Sequence, residues 1–476
     1  MLPTEEVCER ARMARDPRFD GRFVVGVLTT GIYCRPICPA RIPAEENVRY
    51  YATPAAAQDA GYRPCLRCRP ENASRLPEWT LASDTVVRGL RYIEAGYLNT
   101  HRVGELAHVI GGSERQLNRV FNGELGATPA SLARAQRVEL AKRLIDHSGM
   151  PLADVAMEAG YGSVRRFNDE MKAIFGCVPS ALRRSRLHRG WAGVCVTLPV
   201  RAPYNADWVF DFLDKRALAG VEVVEGLTYR RKVAAAENES AWITVSWEGD
   251  ALKLCVPAGV VESMSRVMTR VRRVFDLGAD SSVIDAHLAE DPLLAPWVAR
   301  AGGLRVPGAW DGFETGVRAI LGQQVSVARA TDLANKLIGA YGEFGLFPVP
   351  EVLADSNPAE IGMPGRRSNA ISLLARSVRD GELQLDECAD PDVLHGNLCD
   401  IDGIGPWTAS YMCLRVARDP NAFPESDWVV LKMLEATPAQ ARRLAQDWAP
   451  WRGYALMYLW FRAGMERQRS AGKRSS

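Results

Sequence analysis

The stretch LCDIDGIGPWTASYMCLRVARDPNAFPESDW, residues 398–428, decides the fold expected for the second half of the chain. Gly403 and Gly405 separate two segments of helical periodicity, which predicts two helices joined by a tight hairpin. The backbone N–H groups of such a turn suit a DNA phosphate. Asp427 follows 22 residues after Gly405. Taken alone, an aspartate at such a place caps a helix more often than it carries out chemistry.

The hairpin followed by Asp427 resembles the catalytic motif of the helix-hairpin-helix superfamily of base-excision DNA glycosylases. Two further stretches, DGFETGVRAILGQQVSVARATDLANKLIGAYG (311–342) and WAPWRGYALMYLWF (448–461), resemble the 3-methyladenine glycosylases of the AlkA type. The resemblance covers most of residues 195–465 and implies that Asp427 is the catalytic carboxylate. The aromatic residues that it places in the base pocket are Trp407, Tyr411 and Trp460.

These roles agree with the chemistry of an alkylated purine. Alkylation at a ring nitrogen makes the purine cationic and therefore a good leaving group, so little acid catalysis is needed. A carboxylate near the sugar stabilises the oxocarbenium character that develops as the C1′–N bond breaks, and it can orient or deprotonate the attacking water. Indole and phenol faces attract a flipped cationic base by stacking and by cation–π interaction.

The resemblance also concerns residues around the pocket. Relatives that cut the DNA strand use a lysine amine, and no lysine occurs between Gly405 and Asp427, which predicts a monofunctional enzyme that leaves an abasic site. The wedge that fills the space of the flipped base would be Gln324, where a well-known member has leucine. Ser426 replaces an acidic neighbour of Asp427, and Glu425 is expected to be a surface charge. The family's hairpin also binds a monovalent or other cation through main-chain carbonyls, here those of Cys399, Ile401 and Gly403.

Four of the eleven cysteines are grouped near the start of the chain. Cys34 and Cys38 form a C-x3-C pair in TTGIYCRPICPAR, and Cys65 and Cys68 form a C-x2-C pair in GYRPCLRCRP. Two close pairs separated by a loop can present four thiolates as a tetrahedron, which predicts one Zn²⁺ ion. A purely structural zinc site is one explanation of this spacing. The other seven cysteines are expected to be thiols rather than disulfides.

The surrounding residues 14–70 resemble the N-terminal domain of the Ada family, which repairs methylphosphotriesters in DNA. The resemblance implies that Cys34, the cysteine after G-I-Y, accepts the methyl group of a methylated DNA phosphate and that the other three cysteines are the remaining ligands. Zinc keeps such sulfurs deprotonated and nucleophilic at neutral pH. Because methylation turns one thiolate into a neutral thioether, it removes a negative charge and is expected to raise the affinity for DNA.

Residues 81–189 have helical periodicity and predict two helix-turn-helix units. Ser113 and Ser163 each follow a glycine-containing turn and are the predicted N-caps of the second helix of each unit, and a linking helix is expected after Thr128. The motif G-Y-x-S-x-x-x-F and the closing F-G-C-V-P-S-A-L-R-R resemble the AraC-type DNA-binding domain, whereas the alternative is a structural helical linker. The residues predicted to read DNA are Arg115, Asn118, Arg119, Arg165 and Arg166.

Charge is distributed unevenly along the 476 residues, whose net charge is +2. Residues 1–190 contain 28 Lys/Arg and 21 Asp/Glu, and the remainder contains 31 and 36. A basic first part is expected of a protein that binds a phosphate backbone, although a solvated basic surface has the same composition. No apolar run is long enough to span a membrane and the N-terminus lacks a signal-peptide stretch, so we expect a cytoplasmic protein without a membrane partner.

Together these patterns predict a multidomain, mainly α-helical protein. Its predicted activities are excision of N-alkylated purines such as 3-methyladenine and stoichiometric methyl transfer to Cys34, coupled to transcriptional regulation of the alkylation response. Double-stranded DNA and RNA polymerase are the predicted partners of a monomeric chain. The predicted domains are a zinc-binding α+β domain (1–78), an AraC-type double helix-turn-helix domain (81–189), a small antiparallel β-sheet domain with a packing helix at 205–219 (194–290) and an all-α helix-hairpin-helix glycosylase domain (291–470).

Two alternatives stay open at the level of sequence. The chain can be a sequence-specific transcription regulator whose glycosylase-like half is a non-catalytic DNA-binding scaffold, although the intact Asp427 and its aromatic set argue against this. It can also be a glycosylase whose zinc site is only structural. The P-C-H-R motif of an O6-methylguanine transferase is absent from the sequence, so direct reversal of O6-methylguanine is not expected.

Overall fold

A computed structural model of the chain describes residues 2–73, 83–183, 193–260, 262–386 and 388–472. The chain forms two compact units. The first consists of Met1–Arg201, Glu248–Thr269 and Leu277–Ala279, and the second consists of Ala202–Trp247, Arg270–Asp276 and Asp280–Ser476. None of the helices in the described ranges is both long enough and apolar enough to cross a membrane.

The elements up to residue 201 begin with a small sheet and continue with helices. They are α1 (Glu5–Ala14), β1 (Val24–Val27), β2 (Ile32–Cys34), β3 (Val48–Tyr51), α2 (Pro54–Asp59), β4 (Arg63–Pro64), α3 (Asp84–Glu94), α4 (Val103–Ile110), α5 (Glu114–Leu125), α6 (Pro129–His147), α7 (Leu152–Glu158), α8 (Val164–Phe175), α9 (Pro179–Leu182) and β5 (Gly193–Pro199).

From residue 202 onward four strands are followed by helices. The elements are α10 (Ala206–Asp214), β6 (Glu222–Glu225), β7 (Thr228–Ala235), β8 (Glu239–Trp247), β9 (Ala251–Pro257), α11 (Met264–Val274), α12 (Ser281–Leu288), α13 (Ala295–Arg300), α14 (Gly312–Leu321), α15 (Val327–Tyr341), α16 (Pro350–Ala354), α17 (Gly365–Arg379), α18 (Pro391–Cys399), α19 (Pro406–Arg415), α20 (Trp428–Leu434), α21 (Pro438–Leu444) and α22 (Arg452–Gly472). The predicted mainly helical, multidomain fold is confirmed.

The first sheet has the strand order β3-β1-β2-β4. β1 pairs antiparallel with β2 and β3, and β2 pairs parallel with β4 in the register Tyr33↔Pro64. Apolar side chains of the sheet pack with Cys8 and Ala11 of α1 in a buried cluster. Because parallel strands run in the same direction, β2 and β4 end side by side, and the cysteine pairs that begin at the end of β2 and directly after β4 meet there.

The two helix-turn-helix units begin where the sequence predicts. The Ser113 hydroxyl accepts a hydrogen bond from Gln116 N at 3.3 Å at the start of α5, and the Ser163 hydroxyl accepts one from Arg166 N at 3.2 Å at the start of α8. Each bond satisfies a free N–H group of the first helical turn. Thr128 caps α6 in the same way, so all three predicted N-caps are confirmed.

One expectation about the ungrouped cysteines is wrong. Strands β5 and β9 pair antiparallel, and Cys195 lies directly opposite Cys255 in this pairing. The two residues form a disulfide. Side chains opposite each other on antiparallel strands are close enough for a bridge, and the register that brings them together depends on tertiary pairing rather than on local spacing.

A buried ionic network joins strands β6 and β7 to α14. Arg231 of β7 contacts the carboxylates of Glu222 on β6 and Glu314 on α14. Arg318, one helical turn further along α14, lies 3.2 Å from the Glu222 carboxylate and 3.0 Å from that of Glu314. At most 7% of the side-chain surface of Arg231, Glu222 and Glu314 is exposed. Because these charges are shielded from water, their stability depends on one another and on neighbouring groups such as the Tyr229 hydroxyl, which donates to Glu222 at 2.7 Å.

Replacing Glu314 by alanine is expected to lower the free energy of unfolding by about 3 kcal/mol, because it leaves the buried Arg231 with only one carboxylate. Chemical denaturation of the full chain measures this change. A suitable control is Glu248→Gln, which removes an ion pair with Lys253 whose two side chains are nearly half exposed. This control should change the stability by less than about 1 kcal/mol. Equal effects of the two substitutions would contradict the prediction.

Candidate functional sites

The predicted hairpin lies between α18 and α19. Gly403 has φ +92°, in the left-handed region that favours glycine, and a Cβ added to it would lie 2.8 Å from the Cβ of Ala370 on α17. Gly405 follows as the N-cap of α19, and Pro406 occupies the first position of that helix. The hairpin therefore ends at the N-terminus of α19, whose partial positive charge suits a phosphate.

Asp427 caps a helix and also contacts the predicted pocket. One carboxylate oxygen, Oδ1, accepts hydrogen bonds from Val429 N and Val430 N, both at 3.0 Å, at the start of α20. The indole Nε1 of Trp407 donates to Oδ2 at 3.1 Å, and the indole Nε1 of Trp460 donates to Oδ1 at 3.3 Å. Asp427 is 6% exposed. The helix cap holds the carboxylate in place while the two indoles flank it.

The aromatic side chains around Asp427 form two stacked pairs. The rings of Trp407 and Tyr411 are nearly parallel, with an interplanar angle of 7° and centroids 5.4 Å apart. Trp460 stacks with Phe212 of α10 at 6.5 Å and 15°. The three aromatic residues that the sequence assigned to the base pocket are therefore brought together by the fold. One indole of each pair donates a hydrogen bond to the same carboxylate.

An arginine connects the two aromatic pairs. Arg415 donates to the Tyr411 hydroxyl at 2.5 Å, and its guanidinium lies 5.0 Å from the centroid of the Phe212 ring. Burial of the Tyr411 hydroxyl opposes its ionisation, but the positive charges of Arg415, Arg216 and Arg318 outweigh burial and lower its pKa. The Tyr411 hydroxyl thus acts as the acceptor of the Arg415 hydrogen bond.

Sequence patterns did not indicate Phe212, Arg216 or Arg415 as site residues. The segment 205–219 was expected to be a packing helix, and its helical part ends at Asp214. Phe212 meets Trp460 only through tertiary contact, and no local motif precedes it. A signal was available for Arg415, which lies one helical turn after Tyr411 on the same face of α19.

The other residues predicted around the pocket lie on the surface of the same unit. Gln324 is exposed, in the loop between α14 and α15, and has φ +55°. Glu425 pairs with Arg442 on the surface, as expected.

Of the three carbonyls predicted to hold a cation, that of Gly403 accepts from Gln323 Nε2 at 2.9 Å and that of Ile401 accepts from Ile404 N at 3.0 Å. Each of these oxygens keeps a second lone pair.

The four grouped cysteines form one cluster in the first unit. Their Sγ atoms all lie within 4.8 Å of one another. Cys34 and Cys38 are half-buried, and Cys65 and Cys68 are each 8% exposed. Four thiols converging at this separation match the donor set of tetrahedral Zn²⁺. The prediction of a four-cysteine zinc site is confirmed.

Arg35 supports this cluster through its main chain and its side chain. Its backbone N–H donates to Cys68 Sγ at 3.4 Å, and its Nη1 donates to the Cys68 carbonyl at 3.3 Å. The guanidinium also pairs with Asp20. A donor to a ligand sulfur stabilises the thiolate form and fixes the sulfur's orientation, as expected around a metal centre.

The residues predicted to read DNA lie on the second helices of the two helix-turn-helix units. Four of them have exposed side chains and Asn118 is half-exposed. Leu117 and Phe121 of α5 and Phe167 of α8 are buried. This leaves one basic, solvent-facing side on α5 and one on α8. The four exposed residues are Arg115, Arg119, Arg165 and Arg166.

Three protein-family models match successive parts of the chain. The metal-binding domain of Ada matches residues 7–71, a helix-turn-helix domain matches residues 106–185, and the AlkA N-terminal domain matches residues 195–311. The chain is also 39% identical over 476 residues to a full-length relative, with 96% of each protein covered. It therefore belongs to the family of bifunctional transcriptional activator/DNA repair proteins that join an Ada-type half to an AlkA-type half.

That relative is the "Probable bifunctional transcriptional activator/DNA repair enzyme AlkA" of Mycobacterium tuberculosis. The chain is also similar to DNA-3-methyladenine glycosylase 2 of Escherichia coli K12, at 33% identity over 57% of this chain and 98% of that protein. A third relative is the bifunctional transcriptional activator/DNA repair enzyme Ada of the same organism, at 40% identity over 26% of this chain and 34% of that protein.

Proposed function

We propose that the chain repairs alkylated DNA by two reactions and regulates transcription in response to the damage. It excises N-alkylated purines of the 3-methyladenine type by hydrolysis of the N-glycosidic bond. It also accepts a methyl group from DNA methylphosphotriesters onto Cys34. The observation that carries the first activity is a buried carboxylate, Asp427, contacted by indoles from two facing aromatic pairs. Release of 3-methyladenine from methylated duplex DNA tests it.

In this proposal the aromatic pairs receive the flipped base. A cationic purine stacks on the half-buried rings of Trp407 and Trp460, whose indole N–H groups are both used to hold Asp427. The carboxylate then lies beside the sugar as the C1′–N bond breaks and the base leaves with the bonding electrons. Its negative charge stabilises the oxocarbenium character at C1′ and orients the water that adds there.

We further propose that the glycosylase is monofunctional. The segment from Gly405 to Asp427 contains no lysine to form a Schiff base with the sugar. The expected product is an abasic site in an unbroken strand, which electrophoresis with and without later alkaline cleavage distinguishes from a nick. We also propose that the protein is a monomer and that the hairpin carbonyls bind a cation. RNA polymerase is its proposed protein partner in transcription.

For the methyl transfer we propose Cys34 as the acceptor, on the Ada-type resemblance of its G-I-Y-C motif. Zinc bound to the four sulfurs keeps them deprotonated. Cys34 Sγ forms a bond to the methyl carbon, the carbon–oxygen bond breaks, and the phosphate oxygen leaves with the electron pair as an ordinary phosphodiester anion. Cys34 is half-buried and more exposed than Cys65 or Cys68, so it is accessible to such a phosphate.

We also propose that this reaction changes DNA binding by the same unit. A thiolate that becomes a thioether removes one negative charge from the cluster, and repulsion between the cluster and DNA phosphates decreases. Salt screens the electrostatic interaction between the protein and DNA phosphates. The gain in DNA affinity on methylation should therefore be largest at low ionic strength.

Replacing Arg166 by alanine should weaken binding of the protein to DNA sequences selected by the wild type by about tenfold, the value of one good base contact. Arg166 is exposed in the first turn of α8, where a reader helix meets base edges. Binding is measured by fluorescence anisotropy at fixed salt. Arg300→Ala, a change at an exposed arginine of α13, should leave the affinity unchanged. Similar losses for the two variants would mean that Arg166 contributes only general charge.

A further inference from the structure

The loop between α14 and α15 carries its predicted wedge in an unfavourable backbone conformation. Gln324 has φ +55°, in the left-handed region that side chains with a Cβ seldom adopt. The residue is exposed, so its own side chain is not what holds the backbone in this state. Such a conformation persists when neighbouring groups fix the chain on either side of it. The preceding residue provides this support.

Gln323 is bonded through its side chain and its main chain. Its amide Nε2 donates to the Gly403 carbonyl at 2.9 Å and to the Thr408 hydroxyl at 3.1 Å. Its backbone carbonyl accepts a hydrogen bond from Arg367 Nη2. Its backbone N–H donates to the Ile320 carbonyl at 3.2 Å, at the end of α14. Gln323 is therefore tied to the hairpin, to α19 and to α17, as well as to the end of α14 that precedes it.

The partners of Gln323 belong to parts of the proposed glycosylase site. Gly403 is the left-handed glycine of the hairpin, and Thr408 is 2% exposed and follows Trp407 directly on α19. Arg367 lies in the first turn of α17, the helix against which Gly403 packs through Ala370. One side chain thus connects the wedge loop to the turn expected to hold a phosphate and to the helix that carries two pocket aromatics.

We propose that Gln323 is a positioning residue for base flipping, an inference that rests on the proposed glycosylase function. It keeps a fixed distance between the wedge loop and the hairpin. While the hairpin holds the DNA strand by its phosphate, Gln324 can then enter the base stack at the position that the flipped base has left. Gln323 itself contacts neither the base nor Asp427 in this scheme. Its loss acts on the step that extrudes the base and leaves bond cleavage unaffected.

The test compares two DNA substrates under single-turnover conditions with the full chain. Each carries one 7-methylguanine, either paired with cytosine in a duplex or placed in an unpaired bubble. Gln323→Leu, which keeps the size of the side chain and removes its hydrogen bonds, should slow excision from the duplex by about tenfold. Excision from the bubble should stay within about twofold of the wild type, because an unpaired base has little extrusion cost.

A second variant and a control complete the experiment. Arg367→Met removes the hydrogen bond that Arg367 donates to the Gln323 carbonyl, and it should slow excision from the duplex but not from the bubble. This variant keeps the inference testable if Gln323→Leu does not fold. Gln384→Leu, which alters an exposed glutamine bonded to Asp386, should affect neither substrate.

Equal losses on duplex and bubble would overturn the inference, because they would place Gln323 in general support of the pocket. Unchanged excision of both substrates by the Gln323 and Arg367 variants would overturn it as well. Failure of the wild type on both substrates and on release of 3-methyladenine from methylated duplex DNA would instead reject the proposed glycosylase function, and the inference with it.

Discussion

Replacing Asp427 by asparagine should lower the rate of 3-methyladenine release by about 10³-fold, or about 4 kcal/mol of transition-state stabilisation. The amide oxygen can still accept from Val429 N and Val430 N, so the cap of α20 is preserved. The negative charge is lost, and the new amide N–H groups face the Trp407 indole N–H, which then has no acceptor. The variant therefore separates catalysis from folding. Release is measured from methylated duplex DNA in single-turnover reactions.

The neighbouring Glu425 supplies a matched control. It is a carboxylate two residues away that pairs with Arg442 on the surface. Glu425→Gln should therefore release 3-methyladenine at nearly the wild-type rate, and both variants should still bind DNA. Residual activity of Asp427→Asn close to that of Glu425→Gln would remove Asp427 from the mechanism. If neither the wild type nor the variants release base while all bind DNA, the non-catalytic scaffold becomes the better account of this half.

Replacing Cys34 by serine should abolish methyl uptake from DNA that contains methylphosphotriesters. In the proposed stoichiometric reaction, removal of the accepting sulfur leaves no slower route through the same atom. A serine hydroxyl is far less acidic than a thiol and does not replace the nucleophile. Mass spectrometry of the intact protein, followed by peptide mapping, measures both the amount and the position of the methyl group. The zinc content of each sample is determined in parallel.

Cys177→Ser is the control for this experiment, because Cys177 is a half-buried free thiol outside the cluster. It should take up one methyl group as the wild type does. If Cys34→Ser does not retain zinc, peptide mapping of the methylated wild-type protein still identifies which cysteine accepts the methyl group. A methyl group found on Cys38, Cys65 or Cys68 would reassign the acceptor. No uptake by the zinc-loaded wild type would make the site purely structural.

Part of the proposed glycosylase site could be predicted from the sequence. The hairpin and the spacing from Gly405 to Asp427 predicted the site, and the structure brings the aromatic residues named with them together near the carboxylate. The roles assigned to these residues stay predictions. From the sequence, Asp427 is either a helix cap or a catalyst. In the structure its Oδ1 caps α20, and its two oxygens also accept hydrogen bonds from the two indoles. Phe212 could not be predicted, because a single phenylalanine on an amphipathic helix is usually packing.

The amino-acid sequence by itself determined the features that depend on short-range spacing. These are the two cysteine pairs, the hairpin glycines and the helix starts at Ser113, Ser163 and Thr128, since metal ligation, tight turns and capping each need particular residues a few positions apart. Only the tertiary structure decided which distant groups meet. The Cys195–Cys255 disulfide, the ionic network around Arg231 and the bonds of Gln323 all join separate elements. Their formation depends on strand register and helix packing, and neither is encoded in a local pattern.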